Sequence, residues 1–150
     1  MSANIHIQVE DFDVSDEVEA LTAGQPTTGA VATFTGYVRG GDGLTALILE
    51  HYPGMTEREI ARIAAEAARR WSLTGVTIIH RIGRLELGER IVLVAVASSH
   101  RGAAFEACEF LMDYLKTQAP FWKQEERGGG VDWVEARQSD DAAAERWRKS

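Results

Sequence analysis

One cysteine in 150 residues leaves Cys108 with nothing to pair with inside the chain. An internal disulfide and a cysteine-based metal cage are both excluded. Basic charge is also short: 16 Lys and Arg stand against 23 Asp and Glu, a formal charge of −7. Nucleic-acid binders ordinarily carry a basic excess, because phosphate neutralisation drives their affinity. Nucleic acid is therefore not an expected partner. No apolar run approaches the roughly 18–20 residues of a bilayer-spanning helix, so no membrane is expected either. The stretch Met1 to His6 lacks the basic and apolar regions of an export signal, and a cytoplasmic protein is the expectation. What is present, 45% apolar and 26% charged residues, is the balance of a soluble globular chain. Its length suits a single domain over residues 1–150.

Local patterns give an interleaved order of strands and helices. Ile5, Ile7 and Val9 alternate with polar residues as in a half-buried strand. Ser15, followed by Asp16 and Glu17, reads as the cap of a short helix to about Ala23. A strand is predicted over 29–38, a turn at Gly40 to Gly43, and a return strand over 44–51. Thr56 with Glu59 reads as a capping box for a helix over 56–71, with Ile60, Ile63, Ala64 and Ala67 on one stripe. Two strands, 75–82 and 90–98, flank a turn at Leu87 to Glu89, and the nearly all-apolar second one should be central. Ser98 and Ser99 offer caps for a helix over 100–117, with Cys108 on its buried stripe as a structural thiol. Pro120 forces a break. A hairpin follows over 121–126 and 131–136, then a short helix capped by Ser139 to Asp141. Hairpins require antiparallel pairing, so the fold class is α+β.

The segment richest in chemistry is MDYLKTQAPFWK at 112–123. Lys116 and Lys123 sit astride an Ala-Pro break and beside Phe121 and Trp122. Two ammonium groups held against apolar walls suit acid–base or nucleophilic work. The plainer alternative is a lysine at a helix end and an exposed strand lysine. On the strand, Lys123 should share a side with Phe121 and Glu125. A second candidate is Ser98 to Arg101, where a strand feeds a helix N-terminus. Free N–H groups there, with His100 and Arg101, suit phosphate or carboxylate; a solvated cap is the alternative. Arg39, ending a strand beside a glycine loop, is a third candidate, against a hairpin with one exposed arginine. His51 and His80 are too few and scattered for a metal site, and read as structural histidines.

Together, FTGYVR at 34–39, LEHYPGM at 49–55, HRIG at 80–83, SHR at 99–101 and the lysine block resemble, in order, the signatures of the large catalytic subunit of molybdopterin synthase. The resemblance runs from about Gly29 to Arg137. It implies an α/β hammerhead-type fold with an antiparallel sheet and packed helices. It implies a homodimer within a heterotetramer, flanked by small ubiquitin-like subunits that carry a C-terminal thiocarboxylate. The implied reaction moves two sulfurs onto cyclic pyranopterin monophosphate to give molybdopterin, with no metal and no cofactor at this step. By position, Lys116 and Lys123 would be catalytic. Tyr37, Val38, Arg39, His100, Arg101, Gln124, Glu125 and Arg137 would serve substrate binding, part of the set coming from the second protomer. Phe34 and Met112 would line the channel. Tyr37 stands where many members have lysine, and the Gly40 to Gly43 loop is short for the family. Two rival readings are a non-catalytic binding module for a ubiquitin-like tail, and another phosphate-ligand enzyme on the same scaffold.

Overall fold

The apolar run predicted to be central is β6 (Arg90–Ser98), with every residue from Val92 to Ser98 buried. A computed structural model describes residues 2–128, 130–134 and 138–148, the last group without the side chains of 138–141. β6 lies between β4 (Leu73–Arg81) and β2 (Ala30–Tyr37), and β1 (Asn4–Gln8) closes the sheet beyond β4, giving the order β1-β4-β6-β2. Pairing is antiparallel except between β1 and β4, which run parallel. The second sheet has the order β5-β3-β7-β8, from β5 (Gly83–Glu86), β3 (Leu44–His51), β7 (Phe121–Arg127) and β8 (Gly130–Val134). All of its pairings are antiparallel. The class is α+β, as the sequence predicts.

Alternation decides what each face of the first sheet buries. Ala32, Val76, Ile78, Val92, Val94 and Val96 meet α2 (Met55–Arg70) and α3 (Arg101–Thr117) in the main core. Leu93, Ala95 and Ala97 point the other way, with Ile79, to Phe12 and Leu21, the latter in α1 (Val14–Thr22). Each buried Ile or Val contributes on the order of 1.5–3 kcal/mol. α4 (Gln138–Glu145) leads into Trp147, whose indole N–H donates to Asp113 at 2.6 Å and whose ring meets Phe110 edge-on.

Several local expectations are corrected. The cap of α1 is Asp13, whose carboxylate accepts from the Asp16 N–H at 2.9 Å, not Ser15. Gly54 holds the cap position of α2, with Glu57 accepting the Gly54 N–H at 2.9 Å; Thr56 is not its cap. Neither serine caps α3: His100 holds the cap position, and the Ser98 hydroxyl donates to the Ser72 carbonyl at 2.7 Å. The cap expected at Ser139 to Asp141 involves side chains outside the described residues. Most consequential, β2 and β3 are not a hairpin. Between them Gly41, Asp42 and Gly43 all take positive φ, and the chain leaves the first sheet to found the second. Likewise β5 splits the supposed 75–98 hairpin, although β4 and β6 do pair. β7 and β8 do pair as a hairpin, as predicted; positions 135 and 136 of the predicted second strand lie outside the described residues.

Candidate active site

Only Ser99 and His100 separate β6 from α3, so the helix turns back along the sheet and packs on β6 and β2. Its last turn, with Lys116, thereby comes to the end where β2 finishes and β6 begins. The helix ends at Thr117, and the chain bends through Gln118, Ala119 and Pro120 into β7. On β7 the residues Phe121, Lys123 and Glu125 share one face, opposite His51, Leu49 and Leu47 of β3. Leu47, Leu49 and Leu85 of that face are buried against Val38, at the end of β2. The lysine-bearing face of the second sheet thus turns toward the junction of the two sheets, with Lys123 half-buried and Lys116 exposed.

His80 bridges that junction. Its ring stacks on Phe121 with centroids 3.8 Å apart and planes 18° apart. Its Nδ1 lies 2.8 Å from the Arg81 carbonyl oxygen. A carbonyl only accepts, so the ring proton sits on Nδ1 and Nε2 carries the lone pair. Burial, opposed by that hydrogen bond and reinforced by the positive charge of Lys116 and by His51, presses its pKa down to about 4. His80 is therefore neutral at physiological pH. Its seat beside Lys116 was not legible in the residues themselves; its only signal was membership in the HRIG segment.

Ion pairing sorts the cations. Arg62, Arg69, Arg81, Arg84, Arg90, Arg127, Arg146 and Arg148 each hold a carboxylate. Arg39, Arg58, Arg101 and Lys116 stand apart, since none has a carboxylate partner among the described residues. In a chain with seven excess acids, cations left unpaired in this way are suited to an anion from outside. Arg39 follows Val38 at the Lys116 end of the sheet. His100 and Arg101 open α3 at the other end, where no side chain caps the helix and no acid lies in its first turn. Fifteen residues of helix separate Arg101 from Lys116, about 22 Å. One protomer does not bring the two cationic groups together.

The remaining expected residues divide. Phe34 is 40% exposed on the α3 side of β2 and its ring lies over Gly36. Glu125 holds Arg127 at 2.8 Å. Gln124 points to the face opposite Lys123, alongside Ile48 and Trp133. Tyr37 is 53% exposed and lines a groove beside α1 of about 720 Å³ with Asp13, Thr33 and Arg90. Val38 is 2% exposed, and its N–H and carbonyl are committed to Glu89 and Gly88. Met112 is packed in the core at 8% exposure. Arg137 lies outside the described residues. Among the described residues, no group of three or more His, Cys, Asp or Glu could hold a metal ion, and no helix is long and apolar enough to cross a membrane.

The class these features define is an α+β protein whose two sheets meet beside cations that have no carboxylate partner among the described residues. The family profile described as MoaE protein matches residues 7–118. A molybdopterin synthase catalytic subunit of Mesorhizobium japonicum is 56% identical over all of this chain and 96% of its own length. One of Pseudomonas aeruginosa is 55% identical over 97% of this chain and 99% of its own. The solved molybdopterin biosynthesis MoaE protein of Burkholderia ambifaria superposes with a TM-score of 0.84 at 56% identity, covering 97% of each chain. Molybdopterin synthase of Staphylococcus aureus superposes at 0.80 with 32% identity, over 87% of this chain and 96% of that one. The chain belongs to the MoaE family. Its function is that of a molybdopterin synthase catalytic subunit, an enzyme of molybdenum cofactor biosynthesis.

Proposed function

We propose that this chain, acting as one domain in the cytoplasm, transfers two sulfurs to cyclic pyranopterin monophosphate from the C-terminal thiocarboxylate of a small ubiquitin-like subunit. Lys116 and Lys123 are the catalytic pair. The tail enters at the sheet junction, where Lys116 meets its terminus and moves protons as sulfur attacks the pterin side chain. Lys123, half-buried and set against Leu49, stabilises the oxyanions that develop. The observation that carries this reading is the lack of carboxylate partners at Arg39, Arg101 and Lys116, which Arg58 shares among the described residues. A phosphate and a carboxylate-ended tail supply the anions these cations lack. Cys108 is buried and its thiol pushed up to about 11 by that burial, which suits a reaction whose sulfur arrives on a partner.

His100 and Arg101 bind the phosphate of the substrate held by the other protomer of a homodimer, since about 22 Å of helix keeps them from Lys116 of their own chain. Two small subunits complete a heterotetramer. A Helicobacter pylori chain of the same fold, at 21% identity and a TM-score of 0.76, was solved as a protein-protein complex of subunits 1 and 2 of molybdopterin-converting factor.

The test incubates the protein with a thiocarboxylated small subunit and cyclic pyranopterin monophosphate, and seeks the two-sulfur product by mass spectrometry. Wild type yields product, and Lys116→Ala yields none while still binding the small subunit. Turnover by Lys116→Ala with only its affinity reduced would sink the catalytic assignment of that lysine. Product from neither, with the complex still forming, would overturn the substrate assignment.

A further inference from the structure

Thr56 sits in the first turn of α2, far from either lysine in sequence, and is fully buried at 0% exposure. Its hydroxyl is used twice. It accepts from the Tyr52 N–H at 2.9 Å and donates to the Pro120 carbonyl oxygen at 2.9 Å. Pro120 is the last residue of the bend that separates Lys116 from Lys123. Within that bend the Gln118 N–H closes the helix onto the Tyr114 carbonyl at 2.8 Å, and the Phe121 N–H turns back to the Ala119 carbonyl at 2.9 Å. A second polar tie from α2 is exposed, from Arg62 to the Gln118 side chain at 3.1 Å. The tie from Thr56 is the stronger constraint, because the hydroxyl is fully buried and loses its partners at a greater cost than an exposed side chain does.

We infer that Thr56 is a positioning residue: its hydroxyl locks the Pro120 peptide and so fixes how Lys123 stands relative to Lys116. The inference rests on the catalytic reading of the lysine pair. Four residues precede Pro120 to Lys116 and three follow it to Lys123, so rotation of this one peptide displaces one lysine against the other. A displacement of about 1 Å at a catalytic group can lower turnover by roughly a hundredfold.

The test is a series at one position. Thr56→Val keeps the shape and removes both hydrogen bonds; Thr56→Ser keeps the hydroxyl and drops the methyl. In the complex with thiocarboxylated small subunit, Thr56→Val should lower kcat by about tenfold or more while KM for the pterin stays within about threefold. Thr56→Ser should remain within about twofold of wild type. A second readout does not depend on activity. The chain's lysines are Lys116, Lys123 and Lys149, so reductive methylation with a ¹³C label gives few side-chain NMR signals. Thr56→Val should shift those of Lys116 and Lys123 and leave that of Lys149. Unmoved lysine signals with wild-type kcat in Thr56→Val would overturn the inference, as would Thr56→Ser being as impaired as Thr56→Val. Lysine signals that shift while Lys116→Ala retains turnover would uphold the positioning and sink the catalytic reading instead. If Thr56→Val does not fold, Thr56→Cys carries the same test with a weaker hydrogen bond, and its kcat must fall below that of Thr56→Ser.

Discussion

The imidazole of His80 lies flat on the ring of Phe121, 3.8 Å between centroids, and this contact ties the two sheets together beside Lys116. The ring also donates from Nδ1 to the Arg81 carbonyl at 2.8 Å, which favours the charged form, but burial outweighs that bond and keeps the ring neutral.

Its titration makes the fold acid-sensitive in a defined window. The folded pKa is about 4, against 6.5 for an ordinary histidine. Below about pH 6.5 the unfolded chain takes up a proton that the folded chain refuses, so stability falls as pH drops toward 4. Between about pH 7 and pH 5 the loss from this group is about 2 kcal/mol. Urea unfolding at the two pH values measures it. His80→Phe, which keeps a flat ring but cannot titrate, should lose most of that pH dependence. The carboxylates of Glu59, Glu66 and Glu126, held low by Arg62, Arg69 and Arg84, weaken the fold only at still lower pH. An unchanged pH dependence in His80→Phe would show that the histidine is not the group responsible.

Gly36 supports Phe34. A methyl group at this position would stand 2.9 Å from Val92 Cγ1 and 3.3 Å from Phe34 Cε1. Val92 is held in the core and cannot yield, whereas Phe34 is exposed and can. Gly36→Ala should therefore destabilise the protein by about 1–3 kcal/mol and turn the Phe34 ring out of its place. Thermal unfolding reports the first effect. A KM raised more than kcat is lowered reports the second, if Phe34 borders the substrate path. A variant of wild-type stability would show that the strand relaxes around the methyl.

What was legible in the sequence follows from how far each signal reaches. The strand at Leu44–His51 has the predicted bounds because alternation and the flanking glycines are local facts. Its partner was misassigned for the same reason: nothing in 29–51 says that β2 pairs with β6 and β3 with β7. Thr56 looked like a helix cap because Thr followed by Glu three residues later is the cap pattern, but its hydroxyl serves Pro120, 64 residues away. The lysine block announced itself through an odd local mixture of Lys, Pro and aromatics. His80 could not, since its stacking partner and Lys116 both come from the far end of the chain. The burial of Val38 and Met112 was likewise not legible, since motif membership says nothing of how deeply a side chain packs.

Cys108 should be chemically silent. Its Sγ lies 3.8 Å from the Val94 carbonyl oxygen, and burial first, then Glu109, raises the thiol to about 11. At about pH 8 the thiolate needed for attack is scarce and enclosed. An aromatic disulfide reagent should find no thiol in the native protein over minutes and one equivalent after denaturation. Cys108→Ala should keep wild-type sulfur transfer, at a modest loss of stability. Loss of turnover in a folded Cys108→Ala protein would make this thiol a sulfur carrier after all.

The separation of Arg101 from Lys116 along α3 makes a prediction that counts sites. Lys116→Ala and Arg101→Ala should each be inactive alone. In a two-fold dimer whose sites take Lys116 from one protomer and Arg101 from the other, a mixed dimer contains one site with both residues lost and one with both intact. Random mixing by co-expression makes half of the dimers mixed, each with one of two sites working. The mixture should then recover about a quarter of wild-type activity. If each site drew both residues from its own chain, every site in the mixture would lack one of them, and activity would stay at the level of the single variants. About 22 Å of helix exceeds what two side chains can bridge toward one small substrate, and so the recovery is the expected result. A mixture that stays inactive, with mixed dimers shown by mass, would return the phosphate to cations of the same protomer, such as Arg39, which follows β2 at the Lys116 end of the sheet.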